Sequence, residues 1–153
     1  MIAATQTQLE GLYNEHNSPK HGHFLRGEEE IFLARLTALL DPAETVSCLI
    51  AYNNGYRSSI GKQEWSQALM AVTSTRVLLL YYKGFLRDFS FPYAELSGVS
   101  GRRELTALGL SRQLFLHRRN GCVVKIQGLL TKRSTIAQEE IVTAMQRWRS
   151  ESA

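Results

Sequence analysis

Cysteine is scarce in this sequence. Its two cysteines, Cys48 and Cys122, stand far apart, and neither belongs to a Cys-x-x-Cys pair. Two such residues cannot form the disulfide framework of a small secreted domain or the ligand set of a structural zinc site. We expect both to be plain buried thiols.

The sequence also lacks a long apolar run. Its most hydrophobic stretch, ALMAVTSTRVLLLYY at 68–82, is 15 residues long and holds Arg76 and three hydroxyl residues at its centre. A membrane-spanning helix needs about 20 mostly apolar residues. The opening MIAATQTQLEGLYNEH shows no basic segment followed by an apolar one. No signal peptide is indicated, and we predict a cytoplasmic protein.

Motifs for catalysis are missing as well. The sequence has no Gly-x-Ser-x-Gly, no P-loop, no dinucleotide fingerprint and no paired carboxylates in a suggestive context. His16, His21 and His23 form a metal-like cluster, but no cysteine or acidic residue accompanies them at ligand spacing. His117 and Cys122 approach each other across the last predicted hairpin, yet they are expected to point to opposite faces, His117 outward and Cys122 inward. We therefore predict no enzyme activity, no cofactor and no metal site.

The composition is ordinary, but the charge is unevenly placed. A chain of 153 residues, 44% of them hydrophobic and 21% charged, is typical of one globular domain with its own core. The net charge of +4 combines −3 in residues 1–41, +6 in residues 42–127 and +1 in residues 128–153. Either the acidic front packs on the basic middle, or the middle meets an anion.

Helical periodicity appears at both ends of the chain. Residues 27–41 predict an amphipathic helix that ends before Pro42, with an apolar face of Phe32, Leu36, Leu39 and Leu40. A short helix is expected around residues 6–13. Residues 135–150 carry one apolar stripe, with Thr135 and Gln138 spaced as a capping box: Ala137, Ile141, Ala144, Met145 and Trp148. We divide the chain into an N-terminal helical arm, residues 1–41, and a domain of residues 42–153.

Between these helices the apolar pattern has the period of a strand. Residues 46–52 alternate up to a turn signal at Asn53-Asn54-Gly55, and residues 68–82 divide into two strands around a hydroxyl-rich turn. Phe85, Phe89 and Phe91 line one face of the next strand. Weaker strands follow near 94–102 and 111–118, and residues 122–128 form the last.

The register of the last hairpin follows from its apolar residues. A two-residue Asn-Gly loop would put Leu114 and Leu116 on the face opposite to Val124 and Ile126. A three-residue loop, with Gly121 left-handed, sets Leu116 opposite Val124 and Leu114 opposite Ile126. The apolar faces then coincide, and we predict this register.

Three segments support a resemblance to a known fold family. LTALLDPAETVSCLIA has a Pro-x-Glu lead-in, ALMAVTSTRVLLLYYKG has a Thr-x-x-Arg turn between two apolar strands, and FPYAELSGVS has Phe-Pro-Tyr before a strand. Together with seven strands and a final helix, they resemble the bacterial pleckstrin-homology-like (PH-like) and GRAM-related families over roughly residues 36–149. The resemblance implies an α+β, mainly β fold: a seven-stranded antiparallel bent barrel capped by a C-terminal helix. It places Arg76 in a turn, and we interpret Arg76 as a solvated arginine.

Two basic residues are candidates for contact with an anion or a lipid headgroup. Arg57 and Lys62 lie in the predicted first hairpin loop, where the related PH domains that grip phosphoinositides carry Lys-x(n)-[Lys/Arg]-x-Arg. Here Glu64 replaces the final arginine. The resemblance therefore implies at most a weak attraction to an anionic membrane, about 1 kcal/mol per basic residue near the surface. The other arginines are spread over several loops without interleaved aromatics, a pattern that does not favour nucleic-acid binding.

Residues 77–82 are apolar on both faces, although a strand of an antiparallel barrel is expected to alternate. We predict an outer apolar face that includes Met70, Val72, Leu78, Leu80 and Tyr82. It must be covered by the helical arm, through Phe32 and Leu36 among others, or by a second subunit. We predict a non-catalytic binding or scaffold module that self-associates or docks a protein partner through this face or an exposed strand edge. The alternative, suggested by the basic middle section and the GRAM-related resemblance, is a peripheral membrane module that binds anionic lipid headgroups.

Overall fold

The chain forms three α-helices and seven strands in a computed structural model that describes residues 5–17, 28–57, 63–106, 109–127, 129 and 131–152. The elements in chain order are α1 (Gln6–His16), α2 (Glu28–Leu39), β1 (Val46–Arg57), β2 (Gln63–Thr73), β3 (Arg76–Tyr82), β4 (Leu86–Pro92), β5 (Leu96–Thr106), β6 (Gly109–Arg118), β7 (Val123–Ile126) and α3 (Thr131–Ser152). A short 3-10 turn, Tyr93–Glu95, joins β4 to β5.

The strands make two antiparallel sheets. The first sheet has the order β1-β2-β3-β4 and the second the order β5-β6-β7. Seven antiparallel strands followed by one helix confirm the predicted fold class, which is mainly β and PH-like. The helical arm adds two helices before the first strand.

The inner core lies between the two sheets and α3. The helix contributes its predicted stripe, with Ala137, Ile141 and Met145 buried, and Trp148 meets Tyr93 edge-on at 6.5 Å between ring centroids. α3 begins at Thr131, so Thr135 lies inside the helix and the predicted capping box is wrong. Several hydroxyl residues in this segment could begin the helix, and the burial of Ser134 favours a start at Thr131 over one at Thr135.

The outer core lies between the arm and the first sheet. On the arm side, Leu9, Tyr13, Phe32, Leu33 and Leu36 are buried. On the sheet side they meet outward residues of β1, β2 and β3: Leu49, Ala51, Leu69, Ala71, Leu78 and Leu80. Of the two covers that the sequence left open, the arm or a second subunit, the arm is the one observed, and the double-sided apolar pattern of β3 has its explanation within one chain.

The predicted facing of β2 is wrong. Met70 and Val72 lie in the inner core, because Met70 pairs with Leu79 and shares its face, while Leu78 points to the other side. Leu69 and Ala71 take the outward positions instead. β2 is apolar at every position from 68 to 72, so hydrophobicity alone does not set its phase.

Side-chain hydrogen bonds stabilise both ends of α1. At its start, the Gln8 amide donates to Thr5 Oγ1 at 3.2 Å and the Thr5 amide donates to Gln8 Oε1 at 2.9 Å, a complete capping box. At its end, Asn17 Nδ2 donates to the Leu49 carbonyl at 2.9 Å, and Asn17 Oδ1 accepts from the Ala51 amide at 2.9 Å. The Asn17 side chain thus occupies the free edge of β1 as a neighbouring strand would.

β1 runs further than predicted. Its pairing with β2 continues through Asn53, Asn54 and Gly55 as far as Arg57, so the predicted turn at 53–55 is wrong. Asn and Gly permit a turn but do not require one, and cross-strand pairing here favours the extended backbone. The connection to β2, residues 58–62, lies outside the described residues.

The last hairpin has the predicted register. Leu114 pairs with Ile126 and Leu116 with Val124, and Gly121 has a φ of 90°, in the region that favours glycine. Cys122 is exposed, which corrects the prediction that both thiols are buried and that Cys122 points inward. Cys48 is buried as predicted.

Of the helices in the described ranges, none combines the length and apolar character that crossing a bilayer requires.

Candidate functional site

One face of β4 carries aromatic rings that become more exposed toward the β3–β4 hairpin. Phe91 is 9% exposed and belongs to the inner core, Phe89 is 41% exposed, and Phe85, in the turn itself, is 64% exposed. The prediction placed these residues on one face. It did not show that this face extends beyond the inner core toward the turn. The exposure of each ring depends on whether another part of the protein covers the sheet at that position. We name the exposed part, Phe85, Arg87 and Phe89, the aromatic tip.

The hairpin turn places the tip at the end of the strand pair. β3 and β4 pair from Arg76 with Pro92 to Tyr82 with Leu86, which leaves residues 83–85 as the loop. Gly84 has a φ of 74°, a conformation that costs a glycine little, and the Lys83 amide donates to the Phe85 carbonyl at 3.2 Å. The loop is therefore tight, and it holds Phe85 outward.

Arg87 lies between the two exposed rings. Its Cζ atom is 6.0 Å from the centroid of Phe85 and 5.7 Å from that of Phe89, within the range at which a guanidinium is attracted to an aromatic face. Arg87 and Lys83 are both exposed. The tip therefore offers apolar rings and positive charge side by side.

The opposite face of the hairpin is anchored to the arm. Leu86 packs against the outer core, Tyr82 meets Phe32 edge-on at 6.3 Å, and Arg35 donates to Asp88 Oδ2 at 2.8 Å. The arm thus holds one face of β4 while the other face stays exposed near the turn. Tyr82, predicted on the outer face, is half-buried there.

A pair of tyrosines lies at the base of the tip. The Tyr81 ring is 5.7 Å from that of Phe89, and the Tyr52 hydroxyl lies 3.5 Å from the Tyr81 hydroxyl. Burial raises the pKa of both phenols, so both stay neutral at physiological pH. They offer hydrogen-bonding groups without charge.

The predicted interaction face is not an open surface. Leu78 and Leu80 are buried beneath Phe32 and Leu36 of the arm, and Met70 lies in the inner core. This placement removes the observation that motivated docking through that face.

The predicted anion site is only partly visible. The backbone of Arg57 ends β1, and its side chain and the whole of Lys62 lie outside the described residues. Contact of these two residues with an anion remains a prediction.

Arg76 is not a solvated arginine, which corrects the interpretation made from its turn position. Its Nε donates to Glu44 Oε2 at 2.9 Å and its Nη2 to Glu44 Oε1 at 2.9 Å and to the Leu39 carbonyl at 2.7 Å. Thr73 Oγ1 and Thr75 Oγ1 also donate to Glu44 Oε2, at 2.6 and 3.0 Å. We call Glu44, Thr73, Thr75 and Arg76 the corner clasp.

The corner clasp joins the end of α2 to the β2–β3 turn. Tyr93 adjoins it, since its hydroxyl donates to the Thr73 carbonyl at 2.6 Å. The members of the clasp come from the Pro-x-Glu and Thr-x-x-Arg motifs that supported the resemblance, and the adjoining Tyr93 comes from Phe-Pro-Tyr, so the three motifs meet in space. Their role is structural, because every oxygen of the buried carboxylate is occupied.

Within the described part of the chain, no group of three or more His, Cys, Asp or Glu side chains could hold a metal ion. His16 Nδ1 lies 3.1 Å from the Leu12 carbonyl, and the other two histidines of the metal-like cluster lie outside the described residues. The three residues of the aromatic tip include no general acid, general base or nucleophile.

No protein-family model and no curated protein matches the chain. Among solved structures, it is similar to the hSac2 domain from the human phosphoinositide phosphatase Sac2, with 13% identity, a TM-score of 0.54, and coverage of 85% of this chain and 87% of that one. It is also similar to the C-terminal domain of an unknown protein from Leishmania infantum, with 12% identity, a TM-score of 0.50, and 80% and 95% coverage. A pleckstrin homology domain from Shewanella amazonensis has 18% identity, a TM-score of 0.48, and 76% and 96% coverage. At such identities the likeness shows a shared fold alone and says nothing of function.

Proposed function

We propose that this chain is a non-catalytic binding module that attaches to anionic membrane surfaces through the aromatic tip. The observation that supports this most is the exposure of Phe85 and Phe89 beside Arg87 at the end of a tight hairpin. A cytoplasmic location and kinship with the bacterial GRAM-related families belong to the same proposal.

The chemistry of the tip suits the boundary between lipid headgroups and acyl chains. Exposed aromatic rings favour that boundary, and each nearby basic residue adds about 1 kcal/mol of attraction to an anionic leaflet. With two rings and two basic residues, Lys83 and Arg87, the contact is weak and reversible. It is therefore expected to be sensitive to salt.

Protein docking at the same rings is the competing function. The face that first suggested it is covered by the arm, whereas β4 remains an edge of the first sheet. A protein partner would need the same exposed rings but no anionic lipid, and this difference separates the two functions.

Vesicle flotation tests the proposal. Vesicles of phosphatidylcholine alone are compared with vesicles that also contain phosphatidylserine, at low and at high salt. We expect flotation only with the anionic vesicles at low salt. The double variant Phe85→Ala/Phe89→Ala should bind at least about tenfold more weakly, since each ring supplies roughly 1 kcal/mol of apolar contact.

The control replaces two other exposed apolar residues, Ile31 at 39% and Val142 at 37%. Ile31→Ala/Val142→Ala should float as the unmodified protein does. Equal loss in both variants, or no salt-sensitive flotation of the unmodified protein, would contradict membrane attachment and leave protein docking as the better function.

A further inference from the structure

A groove lies between β6 of the second sheet and the first half of α3. Its volume is about 410 Å³, within the range of sites that bind small molecules. The α3 residues that line it follow one another at spacings of one, three or four, so they form a single stripe along the helix: Thr135, Gln138, Glu139, Val142 and Thr143. Arg112 supplies the lining from β6. The groove therefore combines one guanidinium with hydroxyl, amide and carboxylate groups.

A glycine makes room for the Arg112 side chain. Gly101 pairs with Leu114, which is buried in the inner core, and Arg112 lies two residues before Leu114 on the same strand. Position 101 and Arg112 therefore share the inward face of the second sheet. A Cβ atom at position 101 would overlap the Arg112 guanidinium. From the helix side, Ser134 Oγ accepts a hydrogen bond from Arg112 Nη1 at 3.4 Å. The guanidinium is thus held between β5 and the start of α3.

Arg112 lies directly opposite a second arginine. The register of β5 and β6 pairs Arg103 with Arg112, and like charges directly opposite each other in a sheet are destabilising. In the part of the chain that the structure describes, neither arginine forms an ion pair. The first turn of α3 contains no acidic residue either. Two guanidinium groups therefore lie close together without a carboxylate partner, an arrangement that a bound anion would stabilise.

We propose that this groove binds a soluble phosphate monoester of a small hydroxylated compound, such as a sugar phosphate. A phosphate monoester carries a charge of about −1.5 to −2 at pH 7, which matches two guanidinium groups better than a single carboxylate does. The planar guanidinium of arginine also fits phosphate oxygens in a bidentate contact.

The α3 side of the groove favours a hydroxylated carrier for the phosphate. Thr135, Thr143 and Gln138 each offer both a hydrogen-bond donor and an acceptor, and the Glu139 carboxylate only accepts. Glu139 therefore suits a hydroxyl group and disfavours a second anionic group. The groove belongs to α3 and the second sheet, whereas the aromatic tip belongs to the first sheet. The ligand is accordingly expected from solution and not from the membrane that the tip contacts.

Isothermal titration calorimetry on the full chain tests the proposal with three probes: glucose 6-phosphate, inorganic phosphate and glucose. Glucose 6-phosphate should bind most tightly. Inorganic phosphate should bind more weakly, because it lacks the hydroxyl groups that contact α3, and glucose should not bind. Equal affinity for glucose 6-phosphate and inorganic phosphate, or no binding of either, would overturn the proposal.

A double variant removes the two guanidinium groups. Arg103→Gln/Arg112→Gln should bind both phosphate probes at least about tenfold more weakly, since charged hydrogen bonds to phosphate are lost. Arg119→Gln/Arg147→Gln, at two exposed positions, lowers the formal net charge from +4 to +2 by the same amount. This control should bind as the unmodified protein does, and an equal loss in it would show a general attraction to positive charge instead of a site.

The position of the guanidinium is tested separately by a change that leaves every charge in place. Gly101→Ala should displace the flexible end of Arg112 and weaken binding of glucose 6-phosphate by about tenfold while the fold is kept. Gly98→Ala on the same strand, where an added Cβ would have no atom within 4 Å, should bind normally. Circular dichroism verifies that both variants are folded. A folded Gly101→Ala protein with unchanged affinity would contradict the proposed site.

Vesicle flotation distinguishes a soluble ligand from a lipid headgroup. Vesicles that contain phosphatidylinositol 4-phosphate present a phosphate monoester on a hydroxylated carrier within a membrane. Flotation with these vesicles that is lost in Arg103→Gln/Arg112→Gln, without binding of glucose 6-phosphate, would assign the groove to a lipid and overturn a soluble ligand. Phe85→Ala/Phe89→Ala should still bind glucose 6-phosphate, so membrane attachment and this proposal can fail independently.

Discussion

At the scale of single residues, the corner clasp is the most constrained chemistry in the molecule. Burial of Glu44 by itself would raise the pKa of its carboxyl. Hydrogen bonds from Arg76, Thr73, the Asp41 amide and Thr75 outweigh that effect and lower the pKa to about 2. Glu44 therefore remains charged across the physiological range, and its charge stabilises the fold.

Replacing Glu44 should cost stability and change its dependence on pH. A folded-state pKa below the unfolded value contributes stability above the unfolded pKa, near 4.5, and loses it as the pH falls toward 2. Glu44→Gln should lower the free energy of unfolding by about 3 kcal/mol at pH 7 and by much less near pH 2. Urea unfolding at both pH values measures this. Glu30→Gln, at an exposed position, should change the free energy of unfolding by less than about 0.5 kcal/mol, and an equal loss there would contradict a role for the clasp.

The two cysteines should differ sharply in reactivity. Burial raises the pKa of the Cys48 thiol to about 12, helped by the charges of Glu140 and Glu15, whereas Cys122 is exposed. Because the thiolate is the reactive form, native protein should react with a thiol reagent at one cysteine per chain. Cys122→Ser should show no reaction until the protein is unfolded. Rapid reaction of that variant in the native state would show that Cys48 is accessible.

At the scale of elements, substitutions at two glycines are expected to have opposite effects on stability, because one glycine has a positive φ and the other lies in a helix. Gly121 has a φ of 90° in the last hairpin, and Gly11 lies in the exposed middle of α1 with nothing near its missing Cβ. Gly121→Ala should destabilise the protein by about 1–2 kcal/mol, since alanine is strained at that φ. Gly11→Ala should stabilise it by up to about 1 kcal/mol through helix propensity. Thermal unfolding of both variants compares them, and a Gly121→Ala protein as stable as the unmodified one would contradict the turn conformation.

The hairpins show which parts of the fold can be predicted from sequence. In the last hairpin, apolar alternation on both strands and one glycine agree on a single register, and that register is observed. β2 offered no alternation, so the phase of Met70 could not be read from its neighbours. The end of β1 and the start of α3 could not be predicted, because the local sequence allowed several boundaries for each element. Strand pairing and packing with distant parts of the chain select among them.

The candidate site was less visible than the fold. The spacing of Phe85, Phe89 and Phe91 indicated a shared face, but only the position of the arm and the core decides which rings remain exposed. The clasp was visible as a motif, Thr-x-x-Arg with an upstream Pro-x-Glu. Its internal pairing was missed because Glu44 and Arg76 are distant in the sequence, and the pairing of β1 with β2, which sets Val46 opposite Thr73, is what brings them together.

At the scale of the whole molecule, the arm decides which apolar surface is free. Leu36→Asp would place a charge in the outer core between α2 and the first sheet, where Leu36 is fully buried. The arm should detach, and the outward residues of β1, β2 and β3 should then bind a hydrophobic dye and promote aggregation.

The matched variant is Ala34→Asp, at an exposed position of the same helix. Dye fluorescence and light scattering should rise for Leu36→Asp and stay near the unmodified level for Ala34→Asp. If Leu36→Asp gave no increase in either signal, the arm would not be the cover of the first sheet.

The claim that the aromatic tip meets the membrane is tested most directly by a polarity-sensitive fluorophore at position 85. The buried Cys48 leaves a single reactive thiol in Cys122→Ser/Phe85→Cys, and the same background with Val142→Cys provides a probe on α3. With anionic vesicles we predict a blue shift and brighter emission from the label at position 85 and none from the label at position 142. No change at position 85, or the same change at both positions, would contradict attachment through the tip.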